Sequence, residues 1–186
     1  MARPAKGSGP GAVERLAEAF WGMLSEMPYS EIKVVSLARR AGASPNTLYY
    51  HFGCVADLAR YALEAELDAR LVSDLLAGAP PYPDPMRERR LRRVTLAARS
   101  GSAELTSMLA SSLRALWLEG AGVAESDLGD AQRRDLAFIF GGIVAVLGDE
   151  ALASDAGQMA AFASRPLGSG AVATMAALEG AGGASM

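Results

Sequence analysis

Ile32–Phe52 reads IKVVSLARRAGASPNTLYYHF, and this stretch decides the fold. Val34, Leu37 and Ala38 recur at helical spacing, which predicts a short helix over Val34–Arg40 with those three facing inward. Gly42 supplies the left-handed residue that ends it. Ser44 is a natural N-cap and Pro45 suits the first helical position, so a second short helix is predicted over Pro45–His51. Helix, glycine turn, capped helix is the grammar of a helix-turn-helix. Leu48 and Phe52, one turn apart, anchor the second helix inside. Asn46, Thr47, Tyr49, Tyr50 and His51 then point partly or wholly outward, toward phosphates or base edges. Two adjacent exposed tyrosines and a histidine are unusual on a purely structural surface.

Upstream, residues 1–11 (MARPAKGSGPG) have no apolar pattern and read as a disordered tail. Val13, Leu16, Ala17, Phe20, Leu24 and Met27 follow at helical spacing, and Pro28 closes that helix. Downstream, a long helix is expected from Val55 to Ala77. Leu58, Ala62, Ala65, Ala69, Val72 and Leu76 form one stripe on it, and Leu63, Leu67, Leu71 and Leu75 a second, so it should pack on two neighbours. The segment GAPPYPDP (78–85) must break it and reads as a linker. Further helices are expected over about 86–99, 102–119, 127–151 and 155–180, the last broken near Pro166 and Gly168. Alanine and leucine dominate while β-branched and aromatic residues are sparse, so the fold class is all-α. The expected organisation is a tail (1–11), a helix-turn-helix head (12–54), a linking helix (55–77) and a second helical domain (78–186).

The LARRAGAS of Leu37–Ser44 and the TLYYHF of Thr47–Phe52, with Asp57–Leu58 opening the next helix, resemble the DNA-binding domain of the TetR family of transcription regulators. The resemblance covers roughly residues 13–63. It implies a three-helix DNA-reading head joined to a helical effector-binding and dimerisation domain. It also implies a homodimer that places two heads on a near-palindromic operator in double-stranded DNA, with repression relieved by a small-molecule effector. By the same match Lys33 lies where the family touches phosphate, Ser44, Pro45, Asn46 and Thr47 where it reads bases, and Tyr49, Tyr50 and His51 where it grips phosphate. The chain departs from the family where Pro45 replaces a lysine and where Gly53, Cys54, Val55 and Ala56 replace Pro-Ser-Lys-Glu. Those departures remove two expected phosphate contacts per head. A basic tail (Arg3, Lys6) entering the minor groove would compensate.

Charge adds little to the DNA reading. The chain of 186 residues carries a net charge of −3, which argues against a general nucleic-acid binder. Residues 1–54 carry six basic and four acidic side chains, a net of +2, so any DNA contact is local and uses few phosphates. The six arginines between Met86 and Arg99 fit either an anion site or, more simply, a solvated helix face.

In the second domain, LAFIFGGIVAVLG (136–148) is apolar nearly all round. Gly141 and Gly142 allow close backbone approach, so Phe140, Gly141, Gly142 and Val144 are candidates for a dimer seam, with a central core helix as the alternative. Met86, Met108, Leu109, Trp117, Phe138 and Met159 are candidates for an effector pocket, and equally for ordinary core; the default effector is lipophilic. A TetR-like head acting through a protein partner or co-regulator is the second functional reading.

Other chemistry finds no support. His51 and Cys54 lie three residues apart, but two such groups make no metal site, and no further cysteine or carboxylate cluster completes one. A Cys–His nucleophile is disfavoured because His51 already has a place in the motif. No phosphate-binding glycine loop, Gly-x-Ser-x-Gly elbow or zinc-ligand spacing occurs, so neither an enzyme nor a cofactor is expected. A lone Cys54 fits a reducing compartment. Without a signal-peptide pattern or a run long enough to span a bilayer, a cytoplasmic location with no membrane contact is expected.

Overall fold

The computed structural model describes residues 11–68, 85–149 and 165–183. Within them every regular element is helical: α1 (Ala12–Leu24), a 3₁₀ turn (Tyr29–Glu31), α2 (Val34–Arg40), α3 (Pro45–His51), α4 (Val55–Glu64), α5 (Pro85–Arg99), α6 (Ala103–Ala121), a 3₁₀ turn (Glu125–Asp127), α7 (Asp130–Gly148) and α8 (Pro166–Gly183). The fold is all-α, as the composition predicts. The chain divides into two compact units, with the boundary between Ala62 and Leu63. Met159, the residues of the proposed linker before Pro85, and most of the expected tail lie outside the described residues.

In the first unit, α1, α2 and α3 pack on one another. Leu16, Phe20 and Leu24 of α1 recur every four residues and are buried with Leu37 and Ala38 of α2 and Leu48 of α3. Fully burying a leucine or phenylalanine contributes roughly 1.5–3 kcal/mol, so these side chains dominate the stability of the unit. Phe20 meets the edges of Trp21 and Tyr29, with ring centroids 5.3 and 6.3 Å apart. α1 stops at Leu24, a turn before Pro28. The Ser25 hydroxyl bonds back to the Gly22 carbonyl (2.8 Å), and Met27 is only half-buried.

The end of α2 follows the expected glycine chemistry. Gly42 has φ +62°. Its N–H donates to the Arg39 carbonyl, and the Ala43 N–H reaches back to Ala38. That pair of bonds is a Schellman cap. The Arg15 guanidinium adds a bond to the Ala41 carbonyl (3.3 Å), tying α1 to this helix end.

α4 differs from its sequence expectation. Helix was expected through Ala77; α4 ends at Glu64, residues 65–68 are not helical, and residues 69–77 lie outside the described residues. Nothing local stops it, because Ala65-Glu66-Leu67-Asp68 contains neither glycine nor proline. The physical reason is tertiary: Glu66 and Asp68 are held by Arg93 and Arg90 of α5. Ala65, expected on a buried stripe, is exposed.

In the second unit α7 packs against both α5 and α6, and α8 against α6. Val94 and Ala97, Leu105, Leu109 and Leu113, and Leu136, Phe140 and Leu147 are buried. A side chain at Gly148 would meet the Ala98 carbonyl oxygen at 3.1 Å, so α7 ends against the backbone of α5. The Trp117 indole N–H donates to the Glu179 carboxylate (3.2 Å), fastening α8 to α6. α7 starts at Asp130, later than the expected 127. Gly129 is its N-cap, and the Gln132 side chain accepts the Gly129 N–H at 2.8 Å. α8 begins at Pro166, where a break was expected; the part of that expected helix before residue 165 lies outside the described residues. Proline fits the first helical position because its missing N–H is not needed there.

Candidate nucleic-acid interface

α3 is built as its sequence dictates. Ser44 has extended backbone angles, and its side chain accepts the Thr47 N–H at 3.1 Å. The Ser44 and Thr47 hydroxyls also share a bond of 2.9 Å. Substituting such a cap by alanine typically costs about 1 kcal/mol. Leu48 is sealed from solvent and pins the helix to α1 and α2.

The opposite face is open. Ser44, Pro45, Asn46 and His51 are exposed, Tyr49 is 56% and Tyr50 83% exposed, and Thr47 is half-buried. The Tyr50 and His51 rings meet edge to face with centroids 4.9 Å apart, which limits the orientations either can adopt. Asn46, Thr47, Tyr49, Tyr50 and His51 thus bring amide, hydroxyl and imidazole groups onto one seven-residue helix. Such side chains can pair with phosphate oxygens and base edges.

Phe52, expected inside beside Leu48, is only partly buried. It leaves the helix with extended backbone angles and rests against Tyr61 (ring centroids 5.5 Å apart). Its ring lies against α4 rather than filling the core.

The basic side chains of this unit are less available than their number suggests. Residues 11–62 hold five arginines and lysines and five acidic residues. Arg40 is engaged in a two-pronged ion pair with Glu26. Its hydrogen bond holds the Glu26 carboxyl below the ordinary glutamate value and raises the Arg40 guanidinium in turn. Gly22 leaves room for that guanidinium, since a Cβ there would lie 2.9 Å from it. Lys33 is exposed and spends one of its three N–H donors on the Ser30 carbonyl (2.7 Å). Arg39 and Arg60 are exposed too and have no ion pair among the described residues. Neither was in the expected contact set. An exposed arginine has no sequence signature of its own, and only the observed pairing of Arg40 singles these two out.

Cys54 is exposed just before α4, and its thiol donates to the Asp57 carboxylate at 3.4 Å. Among the described residues no three His, Cys, Asp or Glu side chains converge as metal ligands.

The described candidates in the second unit differ in burial. Met108, Leu109 and Trp117 are buried, whereas Met86 and Phe138 are 55% and 73% exposed. The reason for Phe138 is helical phase. α7 buries Leu136, Ile139, Phe140, Ile143, Val144 and Leu147, so 138, 141, 142 and 145 fall on the other side. The same phase divides the expected dimer seam: Phe140 and Val144 are core residues, while Gly141 and Gly142 face out. A separate open cleft of about 270 Å³ is lined by Glu64, Leu67, Ser112, Ala115, Leu116 and Glu119, none of which was expected in a pocket. No described helix is long and apolar enough to cross a membrane. Among the six arginines of α5, Arg92 pairs with Glu88 (2.5 Å), Arg90 with Asp68 (3.4 Å) and the largely buried Arg93 with Glu66 (2.5 Å).

No family model matches this chain. No curated protein matches it either. Among solved structures it is similar to the fatty acid degradation regulator FadR from Bacillus halodurans, at 16% identity over 93% of this chain and 96% of that one, with a TM-score of 0.45. At that level the likeness bears on neither the fold nor the activity of this chain.

Proposed function

We propose that this chain is a transcription regulator that binds double-stranded DNA through α3, as its resemblance to the TetR family implies. One observation carries the reading. α3 buries Leu48 and leaves Asn46, Tyr49, Tyr50 and His51 exposed, a polar reading face on a capped helix that follows a glycine turn. Asn46 and Thr47 select bases, Tyr49, Tyr50 and His51 hold phosphate, and Lys33 adds a charge contact. Titration of labelled duplexes from the DNA flanking the gene tests this. Binding that discriminates a flanking duplex from unrelated DNA supports it, and equal affinity for both removes it.

The regulator acts as a homodimer on a near-palindromic operator and represses until a small effector binds. The outward stripe of α7, with Phe138, Gly141, Gly142 and Ala145, supports the dimer: a large exposed aromatic beside small residues suits close helix packing. For the effector site the cleft beside Leu67 and Leu116 replaces the residues expected from sequence. Its apolar floor and the carboxylates of Glu64 and Glu119 suit a ligand with an apolar body and a hydrogen-bond-donating end.

A further inference from the structure

Among the described residues Glu66 is the one charged side chain that is buried, at 7% exposure. It lies where α4 stops without a local cause. The backbone there does not simply fray. The Glu66 N–H bonds to the Leu63 carbonyl (3.0 Å) and the Leu67 N–H to the Glu64 carbonyl (3.2 Å). Both bonds span three residues, so the winding tightens from α to 3₁₀.

The tightening has a geometric consequence. Three residues turn through about 300° in an α-helix but about 360° in a 3₁₀ turn. Glu66 is therefore brought into line with Leu63, which is fully buried. A carboxylate carried to that face needs a cation, and Arg93 of α5 supplies it at 2.5 Å, with its own side chain only 14% exposed. Asp68 follows to Arg90 at 3.4 Å. In continued α winding, Glu66 would instead swing about 60° off the Leu63 line.

We infer that the Glu66–Arg93 pair is a winding latch: it holds residues 65–68 in a tight turn, and without it α4 continues as α-helix through Asp68. The sequence supports the released state, because alanine, glutamate and leucine are strong helix formers and nothing in 65–68 interrupts a helix. The paired state adds the contacts to Arg93 and Arg90 to the two backbone bonds of the turn. An element with two available windings is what a ligand or partner can bias, by preferring one of them. The inference stands apart from the DNA-binding reading, since its readout is backbone winding and not operator affinity.

The test is NMR on the full chain, wild type against Glu66→Leu/Arg93→Met, a pair that replaces buried charge by apolar packing and so preserves folding. In the wild type the α-proton of Glu64 should show a contact to the amide of Glu66, and none should join Leu63 to Leu67. In the double variant Leu63–Leu67 and Glu64–Asp68 contacts should appear, with Cα shifts at 65–68 moving to helical values. Should the double variant fail to fold, Glu66→Ala carries the same expectation. A folded variant that keeps the wild-type pattern overturns the latch, as does a wild type that already shows the Leu63–Leu67 contact.

Discussion

Leu48 and Phe52 sit one turn apart on the sequence of α3, and their fates differ because the helix ends between them. Leu48 is fully buried while Phe52 is half-exposed against Tyr61. Leu48→Ala should therefore destabilise the first unit by roughly 2–5 kcal/mol, the range for emptying a core leucine site. Phe52→Ala should cost less than Leu48→Ala, and urea melts of the two variants give the order directly. Their neighbours have a different task. Tyr50→Phe and His51→Ala remove exposed groups, so the melts should stay near wild type while DNA affinity falls by about 1–3 kcal/mol across sequences. Asn46→Ala should change which sequence is preferred more than it changes affinity for random DNA. At this scale the sequence was legible where chemistry is local. Ser44, Pro45 and Gly42 announce a cap, a first turn and a left-handed stop through their own backbone preferences. The engagement of Arg40 with Glu26 was not legible, because fourteen residues separate partners that only the packing of α1 and α2 brings together.

At the scale of elements, that ion pair ties the turn after α1 to the end of α2, and its pH dependence has a definite sign. Arg40 lowers the Glu26 carboxyl below its ordinary value of 4.5 in the folded state. The pair's contribution is present above the unfolded value and is lost as pH falls through the lowered folded one. The pair is open to solvent, so the effect is small. Thermal melts of wild type and Glu26→Gln should differ at pH 7 and converge as pH falls through the lowered folded-state value; a gap that persists in strong acid would assign it to something other than charge. α4 and α7 show why element boundaries and faces were harder to read than element type. Helix propensity continues past Glu64, yet α4 ends there and Glu66 pairs with Arg93 of α5. In α7 an almost wholly apolar run leaves the helical phase undetermined. Phe140 and Val144 look as fit for a seam as Phe138, until the packing on α5 and α6 decides which side is inside.

For the whole molecule, the unit proposed to read DNA is followed by a second helical unit whose α7 carries an exposed apolar stripe. If that stripe is a seam between two copies, Phe138→Glu should turn a dimer into a monomer in sedimentation while leaving helical content intact, because Phe138 is 73% exposed within the protomer. A monomeric wild type would remove the seam. Loss of the dimer should weaken operator binding far more than it weakens binding to random DNA, since two linked heads gain from a palindrome and one head does not. The central claim is that α3 reads DNA, and binding of the purified protein to its own flanking DNA across a salt series tests it most directly. The account predicts sequence-dependent binding whose logarithm falls linearly with the logarithm of salt, by about 0.9 per phosphate met. The slope should be modest, because residues 11–62 hold only five basic side chains and Arg40 is engaged with Glu26, and Lys33→Ala should make it shallower. Equal, weak affinity for flanking and unrelated DNA at every salt concentration would contradict it.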